Sequence, residues 1–227
     1  MDNVTKTYND FWSSELKDSR KQRNKSWFRR KRYKWLSYVF PRLALKRGFA
    51  KKYHQGVVSV AEGFFCDLGC GLGACVGLYA ASSGFSAVGL DASLNALSFA
   101  RSEKERLHFD QIHFIAGNLF DTPFKNDYFD TVYLGQVLEH VENEEEVVKE
   151  AVRILKPGGK LIITVPKEDL LPSPYHVRTY TAKDLESLLS PYAQGKIQFY
   201  PFDMRRFAVS LKVVKNKSVK DKTGKQP

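Results

Sequence analysis

The densest chemical signal in this chain is one short turn, Asp67-Leu68-Gly69-Cys70-Gly71-Leu72-Gly73. It follows the apolar run GFFCDL and precedes the helix-like stretch ACVGLYAASS. Glycine at every second position lets the backbone turn without Cβ obstruction, and lets a ligand lie against main-chain N–H groups. Asp91 stands twenty residues beyond Gly71, at the end of the next apolar run, FSAVGL. A carboxylate placed there can accept hydrogen bonds from both hydroxyls of a ribose, which implies an adenosine-type ligand. The plain alternative for Asp91 is a cap on the helix that begins near Ser93. Dinucleotide enzymes use a similar turn, and Gly69, Gly71 and Ala74 pass as a loose version of their fingerprint. Asp67 separates the two ligand classes. An acid opening the glycine loop repels a pyrophosphate but suits a ligand carrying an ammonium and a sulfonium.

Two histidines are candidate general bases, the role histidine most often fills. His140, in VLEHV, follows the fourth apolar run, and His176, in SPYHVRTYT, follows the fifth. Open α/β sheets bind ligands at the carboxyl ends of their strands, so both fall on the expected side. The competing reading makes each a structural contact. Cys66, Cys70 and Cys75 lie within ten residues of one another. Their odd number and the lack of a neighbouring His cluster argue against a disulfide framework or a zinc site. They read as small residues packed around a tight turn. No carboxylate cluster with metal-ligand spacing stands out, and no metal is expected.

The elements that must position these residues alternate. The apolar runs GFFCDL, FSAVGL, IHFIAG, FDTVYL and KLIITV have strand length and are apolar throughout, as strands buried on both faces of a parallel sheet require. Between them, ACVGLYAASS, SLNALSFARSEKER and EEEVVKEAVRILK carry helical spacing, giving βαβ units and a doubly wound α/β sheet. Pro157-Gly158-Gly159 is expected to stop the third helix at Lys156. Thr181 sits near the cap of a further helix, AKDLESLLS, and two apolar runs around IQFYPF and FAVSLKVV make an antiparallel pair that closes the sheet.

At 227 residues, with 43% hydrophobic and 27% charged residues, the composition is that of one globular domain with extensions. The net charge of +11 is uneven. Residues 17–52 hold 15 Lys/Arg against one acid, a net +14, and the tail from Lys212 holds six Lys against one Asp, a net +5. The span 53–211 has 14 Lys/Arg against 20 Asp/Glu, so an acidic core carries basic appendages. The organisation expected is a basic, aromatic extension over 1–55, a catalytic domain over 56–213 and a disordered tail over 214–227. Residues 26–53 mix Trp27, Phe28, Tyr33, Trp35, Tyr38 and Phe40 with Arg29-Arg30-Lys31-Arg32, with Pro41 expected to break the helix. Such a segment suits a lid over the domain, a peripheral membrane contact, or less well an RNA contact. With no apolar run long enough to span a bilayer and no secretory layout at the N-terminus, a cytoplasmic protein with some membrane association is expected.

Taken in order, Asp67–Gly73, VGLDAS, GNLFDTPFKNDYFDTVYLGQVLEHV and LKPGGKLIITVP resemble the class I S-adenosylmethionine-dependent methyltransferases. The resemblance is nearest to the type 11 group that includes quinone-biosynthesis enzymes, and it spans roughly Gly63 to Leu189. It implies a Rossmann-like sheet of seven strands with the last antiparallel, and S-adenosyl-L-methionine as cofactor. It further implies that Gly69, Gly71 and Gly73 shape the turn under the methionine part, with Asp67 near its amino group. Asp91 would hold the ribose, Ala92 would line the adenine, and Asn118 with the Leu119 backbone would meet the adenine edge. Gln136 would face the methionine and the reacting methyl. Asn118 departs from the family pattern, where Asp is usual, yet still offers a carbonyl acceptor to an adenine amino group.

Within that family the acceptor is expected to be a small molecule, a lipid or a glycan intermediate. RNA methylation, and a non-catalytic partner subunit that binds the cofactor, stand as alternatives. Leu134-Gly135-Gln136-Val137 is not the Asn/Asp-Pro-Pro-aromatic loop of many amino-group methylases. No Pro-Cys nucleophile is present for covalent cytosine methylation.

Overall fold

The computed structural model describes residues 48–167, 173–202 and 204–214, with side chains from His54 onward. The basic extension up to residue 47, including Pro41 and most of the segment 26–53, lies outside the described residues. So do 168–172 of the Pro-rich stretch and the lysine-rich tail from 215. Helix α1 (Gly48–Val60) straddles the expected boundary at 55/56, and Val57 on it is fully buried.

Seven strands form one sheet: β1 (Phe65–Leu68), β2 (Ala87–Asp91), β3 (Ile112–Ala116), β4 (Phe129–Gly135), β5 (Leu155–Pro166), β6 (Gln198–Phe199) and β7 (Arg206–Lys212). Their order is β3-β2-β1-β4-β5-β7-β6. The five leading strands pair in parallel, and β7 runs antiparallel to both β5 and β6. This is the doubly wound α/β sheet expected from the alternating runs, with the antiparallel pair at its edge. Between the strands lie α2 (Ala74–Ser83), α3 (Leu94–Leu107), α4 (Glu144–Ile154) and α5 (Ala182–Leu189).

The apolar runs make strands because both faces are covered. Every residue of β1 and β2 is buried. Along β1 the side chains alternate: Phe65 joins a cluster with Val57, Val76, Tyr79 and Leu97, whereas Cys66 and Leu68 join Leu138, Val147, Ala151 and Leu185. One layer thus carries α1, α2 and α3, and the other α4 and α5. All three cysteines are free and buried, as small packing residues should be.

The third helix ends earlier than its sequence suggests. It stops at Ile154, and β5 begins at Leu155, which is fully buried and pairs with Phe129. Burial of Leu155 outweighs the helical spacing, and Pro157-Gly158-Gly159 becomes an irregularity inside β5, where the register shifts between Phe129 and Thr131. Gly158 takes a φ of 74°, which the helix-stopping reading had placed outside the strand. Thr181 does cap α5, in a capping box with Asp184. Among the described residues no helix is long and apolar enough to cross a membrane.

Candidate functional site

Strand order reverses between β1 and β4, the topological switch point at whose carboxyl strand ends open α/β sheets place their ligands. The glycine loop fills the β1 side of it. Gly69, Gly71 and Gly73 have φ values of 80°, 51° and 75°, the left-handed region open to glycine. The amides of Gly69 and Cys70 both donate to the Leu90 carbonyl, at 2.8 and 3.0 Å, which anchors the loop on β2. A Cβ on Gly73 would lie 2.5 Å from Cζ of Phe114, so the helix α2 starts as close to β3 as glycine permits.

Asp91 closes the loop from the other side. One carboxylate oxygen accepts from the Gly71 amide and the other from the Ser93 amide, each at 2.8 Å. The structural reading of Asp91 is therefore correct in part, although the side-chain cap of α3 is Ser93, whose hydroxyl accepts from Ala96. A carboxylate has about four lone-pair sites, so acceptor capacity remains for ribose hydroxyls. Burial raises the Asp91 pKa, while the amides of Ser93, Gly71 and Ala92 restrain the rise.

Asp67, in β1, is buried without a neighbouring cation, and its pKa is raised by burial first and by the charge of Asp91 second. Two acids held together in this way favour a positive ligand and disfavour a phosphate. An ammonium and a sulfonium fit this donor set, and a pyrophosphate does not.

The adenine-edge residues sit at the rim. Ala92 is exposed just past β2. Asn118 is exposed beyond β3, and its side-chain oxygen accepts from the Phe120 amide at 3.0 Å, a local turn that leaves its amide group and one lone pair outward. Leu119 is partly buried against the core. Gln136 follows β4 in a left-handed conformation, φ 59°, with its amide on the Thr164 carbonyl. Its side-chain oxygen accepts from Arg206 on β7 at 3.1 Å, and its Nε2 is buried with no partner. Gln136 is thus fixed by β7, a contact its sequence position did not suggest.

His140 and His176, 36 positions apart in sequence, meet: their ring centroids are 4.9 Å apart, edge to face. The bend around Ser173–Val177 carries His176 back over the short 3₁₀ turn Leu138–His140. The Val177 amide donates to the Glu139 carbonyl at 2.8 Å, His140 Nδ1 bonds the Tyr175 carbonyl at 3.0 Å, and the Tyr180 hydroxyl donates to the Leu138 carbonyl. Burial lowers both imidazole pKa values, helped at His176 by His140. Both shifts favour the neutral imidazole.

Sequence reasoning missed Glu139. It is 1% exposed, its carboxylate oxygens have no hydrogen-bond partner on any other residue, and burial pushes its pKa up to about 8 against the pull of its own backbone amide and then of Arg206. One signal was legible: an acid between two apolar residues and a histidine, directly after a buried strand. A mainly apolar cleft between α2 and α3, lined by Gly77, Leu78, Phe99 and Leu107, reaches Gly73 of the glycine loop but none of the candidate acids and histidines.

Residues 66–163 match the model of a methyltransferase domain. A demethylmenaquinone methyltransferase of Bacillus cereus is 41% identical over 75 residues, which is 33% of this chain and 32% of that protein. The chain thus spans about a third of the length of the curated relatives it matches. Among solved structures, an S-adenosylmethionine-dependent methyltransferase from Aquifex aeolicus superposes with a TM-score of 0.64 at 16% identity, covering 77% of this chain and 97% of that one. A methyltransferase bound to the Trm112 activator of Haloferax volcanii superposes with a TM-score of 0.60 at 18% identity, covering 73% and 92%. These two similarities show the fold. Residues 66–163, which carry the glycine loop, Asp67 and Asp91, thus match a methyltransferase domain, and the sheet around them has the fold of those two solved structures.

Proposed function

We propose that this chain catalyses methyl transfer from S-adenosylmethionine to a small-molecule, lipid or glycan-intermediate acceptor held beyond the ends of β4 and β5. The observation that carries the reading is the pair Asp67 and Asp91 on a loop of three left-handed glycines. The bound cofactor supplies an electrophilic methyl group on a sulfonium. Asp91 orients the ribose, Asp67 attracts the ammonium, and the glycine loop admits the methionine part against its amides. Such orientation supplies much of the acceleration in a displacement that needs little more than an aligned nucleophile.

On the acceptor side, Gln136, Glu139, His140 and His176 gather polar groups at the end of β4. Neutral imidazoles can take the proton of a hydroxyl acceptor or act as ligands. Calorimetric titration with S-adenosylhomocysteine and, separately, NADH tests the reading. Binding of the first and not the second is expected, and the reverse would overturn it.

A further inference from the structure

We infer that Glu139, His140 and His176 form a binding site for a first-row divalent cation. Each offers one ligand atom, and these atoms lie within 4.8 Å of one another. The independent observation is Glu139, a carboxyl group 1% exposed whose oxygens have no hydrogen-bond partner on any other residue. The comparison is close at hand. Glu150, also buried, accepts from Arg153 and from Thr122 at 2.7 Å. Burying a carboxylate without partners is costly, and buried charges are generally paired or bound to metal. Arg206 on β7 is the charged neighbour of Glu139 and attracts it without hydrogen-bonding its carboxylate.

The histidines are arranged as ligands. His140 Nδ1 faces the Tyr175 carbonyl at 3.0 Å, so that nitrogen carries the proton and Nε2 carries the lone pair. Fixing the tautomer through a backbone carbonyl is how metal-ligating histidines are commonly oriented. The edge-to-face contact holds the two rings side by side, their centroids 4.9 Å apart.

Two imidazoles and one carboxylate suit zinc, manganese or iron(II) and not calcium. Ligand atoms bound at about 2.0–2.2 Å to one ion lie roughly 3.0–3.5 Å apart, so the widest pair must close by about 1.5 Å, within the reach of side-chain rotation. Three protein ligands leave positions open to water or to an acceptor oxygen. Only this last clause rests on the methyltransferase reading, since the cation site itself does not require it.

The test uses full-length protein stripped with chelator. ZnCl2 is titrated calorimetrically and the melting temperature is followed with and without Zn2+, in the wild type, Glu139→Gln and His176→Ala. One Zn2+ per chain is expected in the wild type, with a rise in Tm. In both variants the affinity should fall at least tenfold and the Tm rise should vanish. Chelator-stripped Glu139→Gln should melt no lower than the wild type, because the amide is close in shape to a buried carboxyl group that has no partner on another residue. Lack of Zn2+ binding by the wild type overturns the proposal, as does binding that persists in both variants or that is lost only when Cys66, Cys70 or Cys75 is replaced by serine. S-adenosylhomocysteine binding, measured on the same wild-type sample, reports separately on the methyltransferase reading.

Discussion

Replacing Asp91 with alanine separates the two tasks of its carboxylate. In the free protein it accepts from the Gly71 and Ser93 amides, and its remaining acceptor capacity is assigned to ribose hydroxyls. Hydrogen bonds to a charged group contribute about 1.5–3 kcal/mol each. Two lost hydroxyl bonds therefore weaken S-adenosylhomocysteine by about 3–6 kcal/mol, or roughly 10²–10⁴-fold. The effect on the free protein is smaller. Two amides lose their acceptor, but a carboxylate whose pKa is raised by burial is also removed, and these oppose. We expect a net loss of about 1–2 kcal/mol, a few degrees in Tm. Calorimetry gives the affinity and thermal denaturation gives the stability. Asp91→Asn should fall between the two, because its NH2 group must face one of the two amides. If affinity falls less than tenfold while the apo protein loses several kcal/mol, the carboxylate serves only to fold the loop and the ribose assignment fails.

Further outcomes follow from the same geometry. Gly73→Ala combines a left-handed φ of 75° with a Cβ 2.5 Å from Phe114, and should destabilise by about 2–4 kcal/mol in urea denaturation. Gly77→Ala, in the interior of α2 with nothing within 4 Å of the added carbon, should instead stabilise by about 0.5–1 kcal/mol, and equal effects at the two sites would refute the steric argument. Arg153→Ala strips Glu150 of its partner and leaves Asn126 and the Phe124 carbonyl without their donor, a loss of about 3–5 kcal/mol by the same measurement. His54 has its pKa lowered to about 4, by burial first and by Arg206 second. The unfolded chain, with an imidazole near 6.5, therefore binds the extra proton first. Stability should fall as pH drops from about 6.5 towards 4, by at most about 3 kcal/mol, and flatten below. Wild type and His54→Phe should differ in pH slope inside that window and run parallel above pH 7.

What the sequence determined by itself is what depends on neighbours along the chain. Gly69, Gly71 and Gly73 announce the loop because left-handed backbone is a local demand that few other residues meet. β1, β2 and β5 are legible because burial on both faces leaves a continuous apolar run, and Asp91 is legible because it closes such a run. Thr181 and Asp184 spell the start of α5 within four residues. What only the tertiary structure decided depends on partners distant in sequence. Leu155 left its helix because Phe129, 26 positions earlier, buries it in the sheet. Gln136 is turned by Arg206, 70 positions away, on the strand that reverses the sheet's direction. Glu139 reads in sequence as an ordinary acid near a helix. It becomes a buried carboxylate with no hydrogen-bond partner on another residue only when the segment after β5 folds back and lays His176 and Val177 across it. Burial and charge compensation are sums over spatial neighbours, and sequence spacing carries no record of them until the chain has closed.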